Sequence, residues 1–418
     1  MKIIQTDIAV FGAGPAGIAA ALMARHHGAR VLLVEKSGTL GGMSTAGMLN
    51  IWCGDSSSHL LSRLRTFSGD DRIFDPMALR SYYFELLEEA GVDILTETVP
   101  IDVTSNDEQI TSVTLFSCGV KALLKAGVAI DATGDGDVAF MAGVPFCLGR
   151  ESDHRMMPMS LEFLLGGVND ARAVYPNTFS LQDKLYEELL APYVESGRVP
   201  YPAGHVILIK GQHPGTAAVN MTNSTDYDPT DPVARSKAAS LTHRQIAGIV
   251  AYLRACVPGY EACYVSAIGH HAGVRESRHF EGVARLTEED ILAERVFDDW
   301  VVSRAAYTFG IHALTGRASD HDPSIPAYHG EQYTIPYGVL LPKTLRNLLF
   351  AGRCVSATHM AHASMRVMPI AMALGEGAGL GAAIAVKKDC APHQVDARDI
   401  QVILRDVYHV PSPMPKCR

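Results

Sequence analysis

The sequence predicts an α/β fold, in which a Rossmann-like domain with a parallel sheet is interrupted by an inserted α+β domain. Three observations lead to this prediction. The first fifty residues alternate between a strand, a helix and a second strand. Two later segments, at residues 127–137 and 348–356, again place a glycine turn directly after an apolar strand. The chain of 418 residues is also longer than one such domain requires, since domains average roughly 100–200 residues.

Composition and charge exclude several classes of protein. Hydrophobic residues make up 47% of the chain and charged residues 19%, which is typical of a globular protein and excludes global disorder. The formal net charge of −9 lacks the basic excess of nucleic-acid-binding proteins, so no nucleic-acid partner is expected. The most apolar segment, residues 368–386, contains Glu376 and several glycines, so we expect no membrane span. Because no signal-peptide pattern is found at the start of the sequence, we expect a cytoplasmic location.

The cysteines give no sign of a metal or redox centre. The chain has eight of them, and none forms a C-x-x-C pair. This spacing argues against a zinc site, an iron–sulfur cluster or a dithiol redox centre, and no metal is expected.

The first motif lies between the two N-terminal strands. Residues 3–11 and residues 29–35 form apolar runs, with a helix-forming run at residues 18–27 between them. The turn after the first strand has the pattern G-x-G-x-x-G and consists of Gly12, Ala13, Gly14, Pro15, Ala16 and Gly17. A strand before this turn and a helix after it make the pattern specific for a dinucleotide-binding site.

Each glycine of the motif has a physical role. Gly12 permits the tight turn, Gly14 lets the backbone approach a diphosphate, and Gly17 lets the helix pack closely on the sheet. The helix N-terminus supplies free N–H groups to the phosphates. Glu35 ends the second strand eighteen residues after Gly17, where a carboxylate accepts hydrogen bonds from ribose hydroxyls. The sequence therefore predicts a bound dinucleotide.

The loop after Glu35 resembles that of a known flavoprotein family. It is rich in small residues and contains Lys36, Gly41, Gly42, Met43 and Ser44. With the preceding motif, it is similar to the superfamily of two-dinucleotide-binding-domain flavoproteins, and more closely to the FAD-dependent oxidoreductases related to glutathione reductase and fumarate reductase. The resemblance implies an FAD-binding domain of the glutathione reductase type, in which the Gly-Gly pair runs past the diphosphate and ribityl chain of FAD.

Two later segments extend the resemblance. In the family, a stretch similar to Thr133 and Gly134 returns to the dinucleotide, and a strand similar to the one before Gly352 ends under the ribityl chain. The helix that follows, from about residue 369 to residue 387, would point its positive end at the flavin pyrimidine. Many members have an aspartate where this chain has Arg353. Because arginine cannot accept a hydrogen bond, a carbonyl or another side chain must bind that ribityl hydroxyl.

The resemblance also implies a set of cofactor contacts and the mode of binding. The predicted cofactor-binding residues are Gly12, Gly14, Pro15, Ala16, Gly17, Glu35, Lys36, Gly41, Gly42, Met43, Ser44, Val99, Thr133, Gly134, Gly352, Arg353, Ser364 and Met368. Noncovalent FAD is expected, since no histidine lies between Lys36 and Asn50, although Cys53 is close in sequence. No second G-x-G-x-x-G follows a strand, so no separate NAD(P) domain is expected. The glycines at residues 375–381 are interpreted as helix-packing positions.

The predicted domains follow from the two parts of this resemblance. Residues 1–145 and 331–390 would form the FAD-binding domain, residues 146–330 an inserted substrate domain, and residues 391–418 a C-terminal helix and tail. Within the insertion, strands are predicted at residues 159–166, 204–210 and 216–221, and a helix at residues 231–257. A further helix is predicted from Thr287, an N-cap followed by acidic residues, to Val301.

Two clusters have side chains suited to hydride-transfer chemistry. The first contains Arg275 and Arg278 and is similar to a G-x-R-E-x-R stretch of the family. On a strand, Arg275, Ser277 and His279 would share one face, and Glu276 and Arg278 the other. Arginine binds a carboxylate or phosphate through its bidentate fork. A structural arginine–glutamate pair at the domain seam is the alternative interpretation.

The second cluster follows the turn at Gly352. It contains His359, His362, Ser364 and Arg366, and the resemblance implies that these residues lie beside the flavin. Either histidine could act as acid or base, since imidazole titrates near neutral pH. Arg366 could hold an anionic substrate or the reduced flavin, and some of these residues are expected only to bind FAD.

These observations lead to one main functional prediction and two alternatives. The main prediction is an FAD-dependent oxidoreductase that transfers hydride between flavin N5 and a small polar substrate, which an arginine anchor would allow to be anionic. The alternatives are a flavin-dependent reductase of an activated C=C bond and a noncatalytic FAD-binding scaffold or escort protein. The substrate, the electron acceptor and the oligomeric state stay open.

Overall fold

The computed structural model describes residues 2–106, 108–320, 322–323, 325–326, 328, 330 and 332–413. The end of the predicted C-terminal tail, including Cys417, lies outside the described residues. The helices are α1 (Pro15–His26), α2 (His59–Ser68), α3 (Pro76–Ala90), α4 (Asp137–Met141), α5 (Lys184–Glu195), α6 (Pro232–Cys256), α7 (Glu288–Leu292), α8 (His359–Met365), α9 (Met368–Lys388) and α10 (Ala397–Asp406). The strands are β1 (Lys2–Phe11), β2 (Val31–Val34), β3 (Asp55–Ser56), β4 (Asp93–Leu95), β5 (Val99–Ser105), β6 (Ile110–Ser117), β7 (Val120–Asp131), β8 (Phe146–Leu148), β9 (Phe163–Gly166), β10 (Leu208–Lys210), β11 (Ala217–Val219), β12 (Tyr264–Ile268), β13 (Arg278–Phe280), β14 (Trp300–Ala306), β15 (Tyr333–Pro336) and β16 (Leu348–Phe350).

The main sheet confirms the predicted Rossmann-like α/β fold. In the described part of the chain it has seven strands, in the order β4-β2-β1-β7-β6-β5, with β16 paired to β7. Strand β1 is parallel to both β2 and β7. Strand β7 pairs with antiparallel β6 near its start and with parallel β16 near its end, so the sheet divides along it. The carboxyl ends of β1, β2, β7 and β16 therefore meet at one edge, where open α/β sheets bind ligands.

Helices α1 and α9 pack closely against each other beside this sheet. Glycines of α9 permit the approach: a Cβ atom at Gly375 would lie 2.0 Å from the carbonyl oxygen of Ala16, and one at Gly379 would lie 2.3 Å from that of Ala20. The interpretation of these glycines as packing positions is confirmed. Helix α9 has the length and hydropathy of a membrane span, but nearly all of it is buried inside the protein.

A second, smaller core lies in the inserted part of the chain. There, among the described residues, a four-stranded antiparallel sheet has the order β10-β11-β9-β12. Phe163 of β9 and Ile249 of α6 belong to its hydrophobic core, which extends from Leu161 to Cys263. Strand β14, in contrast, packs in the main core beside α9. The domain boundaries at residues 145, 330 and 390 stay a prediction.

The predicted helix from Thr287 to Val301 is wrong beyond its first turns. Thr287 caps α7 as expected, but α7 ends at Leu292 and Glu294 has a φ of +48°. Trp300 then begins β14, which pairs with β15 and β3. Aromatic and β-branched residues favour a strand once sheet partners are available, and here they override the helical pattern. The three strands predicted in the insertion do form, as β9, β10 and β11, but each is shorter than expected.

The alternating faces predicted for residues 275–279 are also wrong. Only residues 278–280 pair with β8. Residues 275–277 are not in a strand, so their side chains need not alternate between two faces. Ser277 and Arg278 both contact Asp135, although they were expected on opposite faces. Glu276 accepts a hydrogen bond from His279, although strand alternation would place these two side chains on opposite faces.

Candidate cofactor and substrate site

A cavity of about 650 Å³ follows the carboxyl edge of the main sheet and continues to the inserted part of the chain. This volume is typical of small-molecule and cofactor sites. The predicted cofactor-binding residues that line it are Gly12, Gly14, Pro15, Ala16, Glu35, Lys36, Gly42, Met43, Val99, Thr133, Gly134, Gly352, Arg353 and Met368. Gly17, Gly41, Ser44 and Ser364 are not among its lining residues.

The glycine motif has the geometry that a diphosphate requires. Gly12 has a φ of +92°, and a Cβ atom there would lie 2.5 Å from the carbonyl oxygen of Ala132. A Cβ atom at Gly17 would lie 1.8 Å from the carbonyl oxygen of Gly12. Gly14 differs, because a Cβ atom there would meet no atom within 4 Å and would project into open space beside the cavity. Gly12 and Gly17 thus shape the turn, while Gly14 keeps room for a ligand at the N-terminus of α1.

Glu35 is held in place by the backbone around it. Its Oε2 accepts a hydrogen bond from the N–H of Ala13 at 2.6 Å, and its Oε1 accepts one from the N–H of Ser37 at 2.8 Å. A carboxylate oxygen has further lone pairs, so the side chain can still accept hydrogen bonds from a ribose. Since Glu35 also lines the cavity, its position fits the adenosine end of FAD.

Predicted contacts that do not line the cavity support its walls. Gly41 has a φ of +101°, and its N–H donates to the carbonyl oxygen of Ala13 at 2.7 Å. The hydroxyl of Ser44 donates to the carbonyl oxygen of Gly41 at 2.8 Å. Ser364 is fully buried and donates to the carbonyl oxygen of Tyr307 at 2.7 Å.

Asp135 provides a carboxylate next to the arginine that departs from the family pattern. Its Oδ1 accepts hydrogen bonds from Arg353 at 2.7 Å and from the Ser277 hydroxyl at 2.9 Å, and its Oδ2 accepts one from Arg235 at 3.1 Å. Burial alone would raise its pKa, but the charges of Arg353 and Arg235 outweigh burial and hold the pKa well below its usual range. Asp135 also lines the cavity. Its ionised carboxylate can therefore accept the ribityl hydrogen bond that Arg353 cannot accept.

The other end of the cavity is polar, and we call it the polar chamber. Its residues are Cys53, Glu162, Asn220, Arg275, Tyr307, His312 and Arg366. Three of their buried atoms have no hydrogen-bond partner among the described residues: Glu162 Oε2, His312 Nδ1 and Arg366 Nε. Buried polar groups are normally paired, so unpaired groups that converge on one cavity indicate a site for a polar ligand.

Two arginines give the polar chamber positive charge. Arg275 Nη1 donates to the carbonyl oxygen of Pro158 at 2.5 Å, and Arg366 Nη2 donates to that of Gly310 at 2.8 Å. Burial lowers the pKa of both side chains, and Arg366 lowers the pKa of Arg275 further. Arginine nevertheless keeps its charge in proteins, so two like charges share the chamber and favour an anion. Arg278 lines the cavity too, but it donates to the carbonyl oxygen of Asp135 at 2.9 Å.

The two histidines predicted as acid–base residues lie behind the cavity wall. His359 Nδ1 lies 2.6 Å from Glu276 Oε1, which also lies 2.8 Å from His279 Nε2. His362 Nε2 donates to the carbonyl oxygen of Arg353 at 3.0 Å, and burial holds the pKa of His362 well below its usual value. Neither His359 nor His362 is among the cavity-lining residues. Their acid–base role stays a prediction, and it would have to act through Glu276 or Arg353.

Glu276, His279 and His362 also form a compact group of potential metal ligands. One atom from each lies within 4.8 Å of the others. The carboxylate already has partners, since Oε2 accepts from the N–H of Met157 at 2.9 Å and Oε1 accepts from His279 at 2.8 Å and from His359 at 2.6 Å. Hydrogen bonding alone therefore accounts for the position of Glu276.

Most residues of the polar chamber belong to no sequence motif, although the position of Glu162 leaves one recognisable pattern. Leu161, Phe163 and Leu165 are buried in the second core, and Glu162 lies between them with its side chain on the opposite side. A single charged residue in an apolar strand with period-two alternation is a recognisable pattern. His312 follows β14 in irregular backbone, where no such periodicity exists.

Part of the chain is similar in sequence to thiamine thiazole synthases. The chain is 28% identical over 140 residues to the thiamine thiazole synthase of Methanococcus maripaludis, a match that covers 31% of this chain and 52% of the relative. It is 26% identical over 140 residues to the thiamine thiazole synthase of Methanococcus vannielii, with the same 31% and 52% coverage. The chain thus spans about half the length of the curated relatives it matches.

Solved structures share the fold over nearly the whole chain. A geranylgeranyl bacteriochlorophyll reductase-like protein from Thermoplasma acidophilum has a TM-score of 0.53 at 12% identity, covering 97% of this chain and 84% of that one. CabE, an aromatic hydroxylase from angucycline biosynthesis, has a TM-score of 0.52 at 13% identity, covering 97% and 68%. At such low identity these similarities show the fold alone.

The family itself is established by a match along most of the chain. The sequence model described as FAD dependent oxidoreductase matches residues 7–404, which include the glycine motif, the inserted part and α9. Both the predicted cofactor and the predicted class of enzyme agree with this family. The chain therefore belongs to the FAD dependent oxidoreductase family.

Proposed function

We propose that this enzyme transfers hydride between FAD and a small anionic substrate that binds in the polar chamber. The observation that carries the proposal is the continuity of one cavity, in which the predicted cofactor contacts at one end adjoin three unpaired polar groups at the other. When bound, FAD supplies a centre that accepts or donates two electrons as hydride.

The residues of the chamber would position the substrate and shield it. Arg275 and Arg366 would bind a carboxylate or phosphate of the substrate, since guanidinium groups pair with such anions through two hydrogen bonds. Asn220 can donate or accept one more hydrogen bond. The buried surroundings exclude water, which strengthens each of these interactions.

Helix α9 would contribute to the charge of the site. Its first residue, Met368, lines the cavity together with Val367 and Ala371. A helix N-terminus carries a partial positive charge, so it favours negative charge on a group bound beside it. The position of the α9 N-terminus at the cavity supports the expectation that it stabilises negative charge on the reduced flavin.

Cys53 supports noncovalent binding of FAD. Burial raises the pKa of its thiol to about 11, so the thiol stays protonated and is a poor nucleophile at neutral pH. Acid precipitation of the purified protein should therefore release the yellow cofactor into the supernatant. Colour that stays with the precipitate would instead show a covalent link.

The direct test is a spectrum of the purified protein, followed by anaerobic photoreduction and readmission of air. We expect flavin absorbance that bleaches on reduction and returns in air. Fast return would indicate an oxidase, and slow return a dehydrogenase or reductase. A colourless protein that also fails to bind added FAD would contradict the proposal.

The substrate class is tested next by anaerobic mixing with a panel of compounds. The panel contains 2-hydroxy acids, 2-amino acids and their uncharged alcohol and amine counterparts, and bleaching of the flavin is the readout. The photoreduced protein is mixed with 2-enoic acids in the same way, which tests reduction of an activated C=C bond. We expect only anionic compounds to react. Reaction with the uncharged counterparts alone would contradict an anionic substrate.

A further inference from the structure

Glu162 is the acidic residue of the polar chamber, and its position is fixed by the second core. It directly precedes β9, and its carbonyl oxygen accepts a hydrogen bond from the N–H of Gly269 at 2.9 Å. Leu161 and Phe163 on either side of it are buried in the second core. Strand geometry then directs the side chain of Glu162 to the opposite side, where it lines the cavity.

The carboxyl group of Glu162 is exceptional among the buried glutamates that the structure describes. Glu35, Glu187, Glu276 and Glu376 all accept hydrogen bonds from neighbouring groups. Glu162 is only 4% exposed, yet its Oε2 has no hydrogen-bond partner among the described residues. A buried carboxyl oxygen without a partner costs free energy, and such an exception calls for an explanation, of which a ligand or a catalytic role is one.

The surroundings of Glu162 favour its neutral form. Burial raises the pKa of Glu162 above its usual range, and the charge of Arg275 only partly opposes this. The other titratable groups of the chamber are Cys53, Tyr307, His312 and Arg366. The neutral form can donate a proton, and the ionised form in equilibrium with it can accept one, as acid–base catalysis requires.

The other candidate groups of the chamber are less suited to proton exchange. Burial raises the pKa of Tyr307 and raises that of Cys53 to about 11. Burial and the charge of Arg275 hold the pKa of His312 well below its usual value. Arginines do not release protons under these conditions. Glu162 is therefore the group of the chamber whose proton can move most easily.

We propose that Glu162 is the acid–base residue of the chamber and exchanges a proton with an anionic substrate held by Arg275 and Arg366. The inference rests on the proposed function. In oxidation of an alcohol or amine, Glu162 first releases its own proton to solvent. The substrate O–H or N–H bond then breaks, and its proton goes to a carboxylate oxygen of the ionised Glu162. The adjacent C–H bond breaks and hydride leaves to the cofactor, so the substrate loses two electrons and two hydrogens. In the opposite direction, Glu162 returns the proton.

The test uses the FAD-loaded protein and three variants. Glu162→Gln has nearly the same shape but cannot exchange a proton, and Glu162→Asp keeps the acid on a shorter side chain. Glu188→Gln is the matched control, because Glu188 lies exposed on α5. Flavin absorbance and thermal melting first establish that each variant folds and binds FAD.

The first readout is infrared spectroscopy, which requires no substrate. We expect the wild-type protein and the Glu188→Gln control to show the carbonyl band of a buried, protonated carboxyl at pH 7. Because buried Glu376 contributes a similar band, the readout is the difference spectrum between wild type and Glu162→Gln. This difference should contain the carbonyl band of Glu162, which should decrease at higher pH. Identical bands in wild type and Glu162→Gln at all pH values would overturn the inference.

The second readout is the affinity for acetate, which is measured from the change that bound acetate causes in the flavin spectrum. Glu162→Gln should bind acetate as tightly as wild type or more tightly, because both arginines remain. Arg275→Met should bind it at least 10-fold more weakly. Loss of acetate binding in Glu162→Gln would make Glu162 a binding residue and would overturn the inference.

The third readout is the rate of flavin reduction by a compound of the panel that bleaches wild type. Glu162→Gln should react about 100-fold more slowly or worse and lose one limb of the pH profile, with part of the rate restored in Glu162→Asp. Equal rates in wild type and Glu162→Gln would overturn the inference. If no compound bleaches wild-type protein, the proposed substrate class fails, and the infrared band then shows separately whether Glu162 carries a titrating proton near pH 7.

Discussion

Arg353 Nη2 donates a hydrogen bond to Asp135 Oδ1 over 2.7 Å, and this contact joins the two predicted parts of the FAD-binding domain. The same arginine donates from Nη1 to the Ser277 hydroxyl at 2.8 Å. Ser277 in turn donates to Asp135, so three distant segments close a small ring of hydrogen bonds. The residue that departs from the family pattern thus organises a neighbouring carboxylate at the cavity.

Replacement of Arg353 by methionine should weaken both the fold and the binding of FAD. The substitution removes one of the two ion pairs that Asp135 forms among the described residues and leaves the pair with Arg235. Loss of a partner from a buried ion pair is strongly destabilising. We expect the free energy of unfolding to fall by about 2–3 kcal/mol, measured by urea denaturation. Arg346→Met is the control, because Arg346 pairs with Glu108 at the surface with both side chains more than half exposed. Equal stability of the two variants would contradict the role given to Arg353.

Replacement of Gly14 by alanine should abolish FAD binding without unfolding the protein. The added methyl group meets no protein atom within 4 Å, so the fold should tolerate it, but it would occupy space that a diphosphate needs. Fluorescence titration with FAD should show affinity at least 100-fold lower than in wild type, with an unchanged circular dichroism spectrum. Gly17→Ala is the comparison, since its methyl group would collide with backbone at 1.8 Å and should impair folding itself. Normal FAD binding by Gly14→Ala would contradict the assignment of this turn.

Alanine at Gly379 should destabilise the protein more than alanine at Gly377. At Gly379 the new methyl group would lie 2.3 Å from the carbonyl oxygen of Ala20, and that backbone can move only if α1 moves. At Gly377 it would lie 2.9 Å from the Cβ atom of Val301, which is a smaller overlap. Overpacking typically costs about 1–3 kcal/mol, and we expect Gly379→Ala at or above the top of this range. Thermal melting of both variants measures the difference, and the reverse order would contradict the packing argument.

Glu376 should make stability fall as the pH rises. This buried side chain accepts hydrogen bonds from the Ser58 hydroxyl and from the N–H groups of His59 and Leu60. Burial raises the pKa of Glu376 to about 7 despite these hydrogen bonds. A folded-state pKa above the unfolded value means that the contribution is complete below about pH 4.5 and is lost as the pH rises through 7.

The matching experiment compares wild type with Glu376→Gln by urea denaturation at several pH values. Between pH 4.5 and 8, the unfolding free energy of wild type should fall by up to about 3 kcal/mol relative to that of Glu376→Gln. Glu85→Gln, on the exposed side of α3, should show no such trend. A difference that is independent of pH would show that Glu376 stays ionised throughout.

The N-terminal unit and helix α9 could be predicted because local signals and tertiary structure agree there. The motif from Gly12 to Gly17 requires the same turn that the sheet edge provides, and the glycines of α9 match its contact with α1. The helix predicted from Thr287 fails because its start signal is local, whereas its end is decided by pairing of β14 with β15. Sheet partners that are distant in sequence leave no periodic trace.

The substrate end of the cavity was only partly predictable for a related reason. The predicted anchors Arg275 and Arg366 line the cavity, whereas the predicted His359 does not. No sequence motif assigns a role to Glu162, which also lines the cavity. Whether a side chain lines the cavity depends on the direction in which it points. That direction is set by packing of β9 on the second core and by the hydrogen bond from His359 to Glu276. Neither contact connects residues that are close in sequence, and residue type alone favoured the histidine.

The ring around Asp135 makes the cofactor a potential regulator of how much of this protein persists. Its members are up to 218 positions apart, so a single chain segment cannot complete the site alone. A ligand that binds only the assembled site stabilises every segment that forms it, and the coupling is reciprocal. When FAD is scarce, the inserted segment and the C-terminal half would open more often and be degraded faster. The amount of enzyme in the cell would then follow the supply of flavin, even at a constant rate of synthesis.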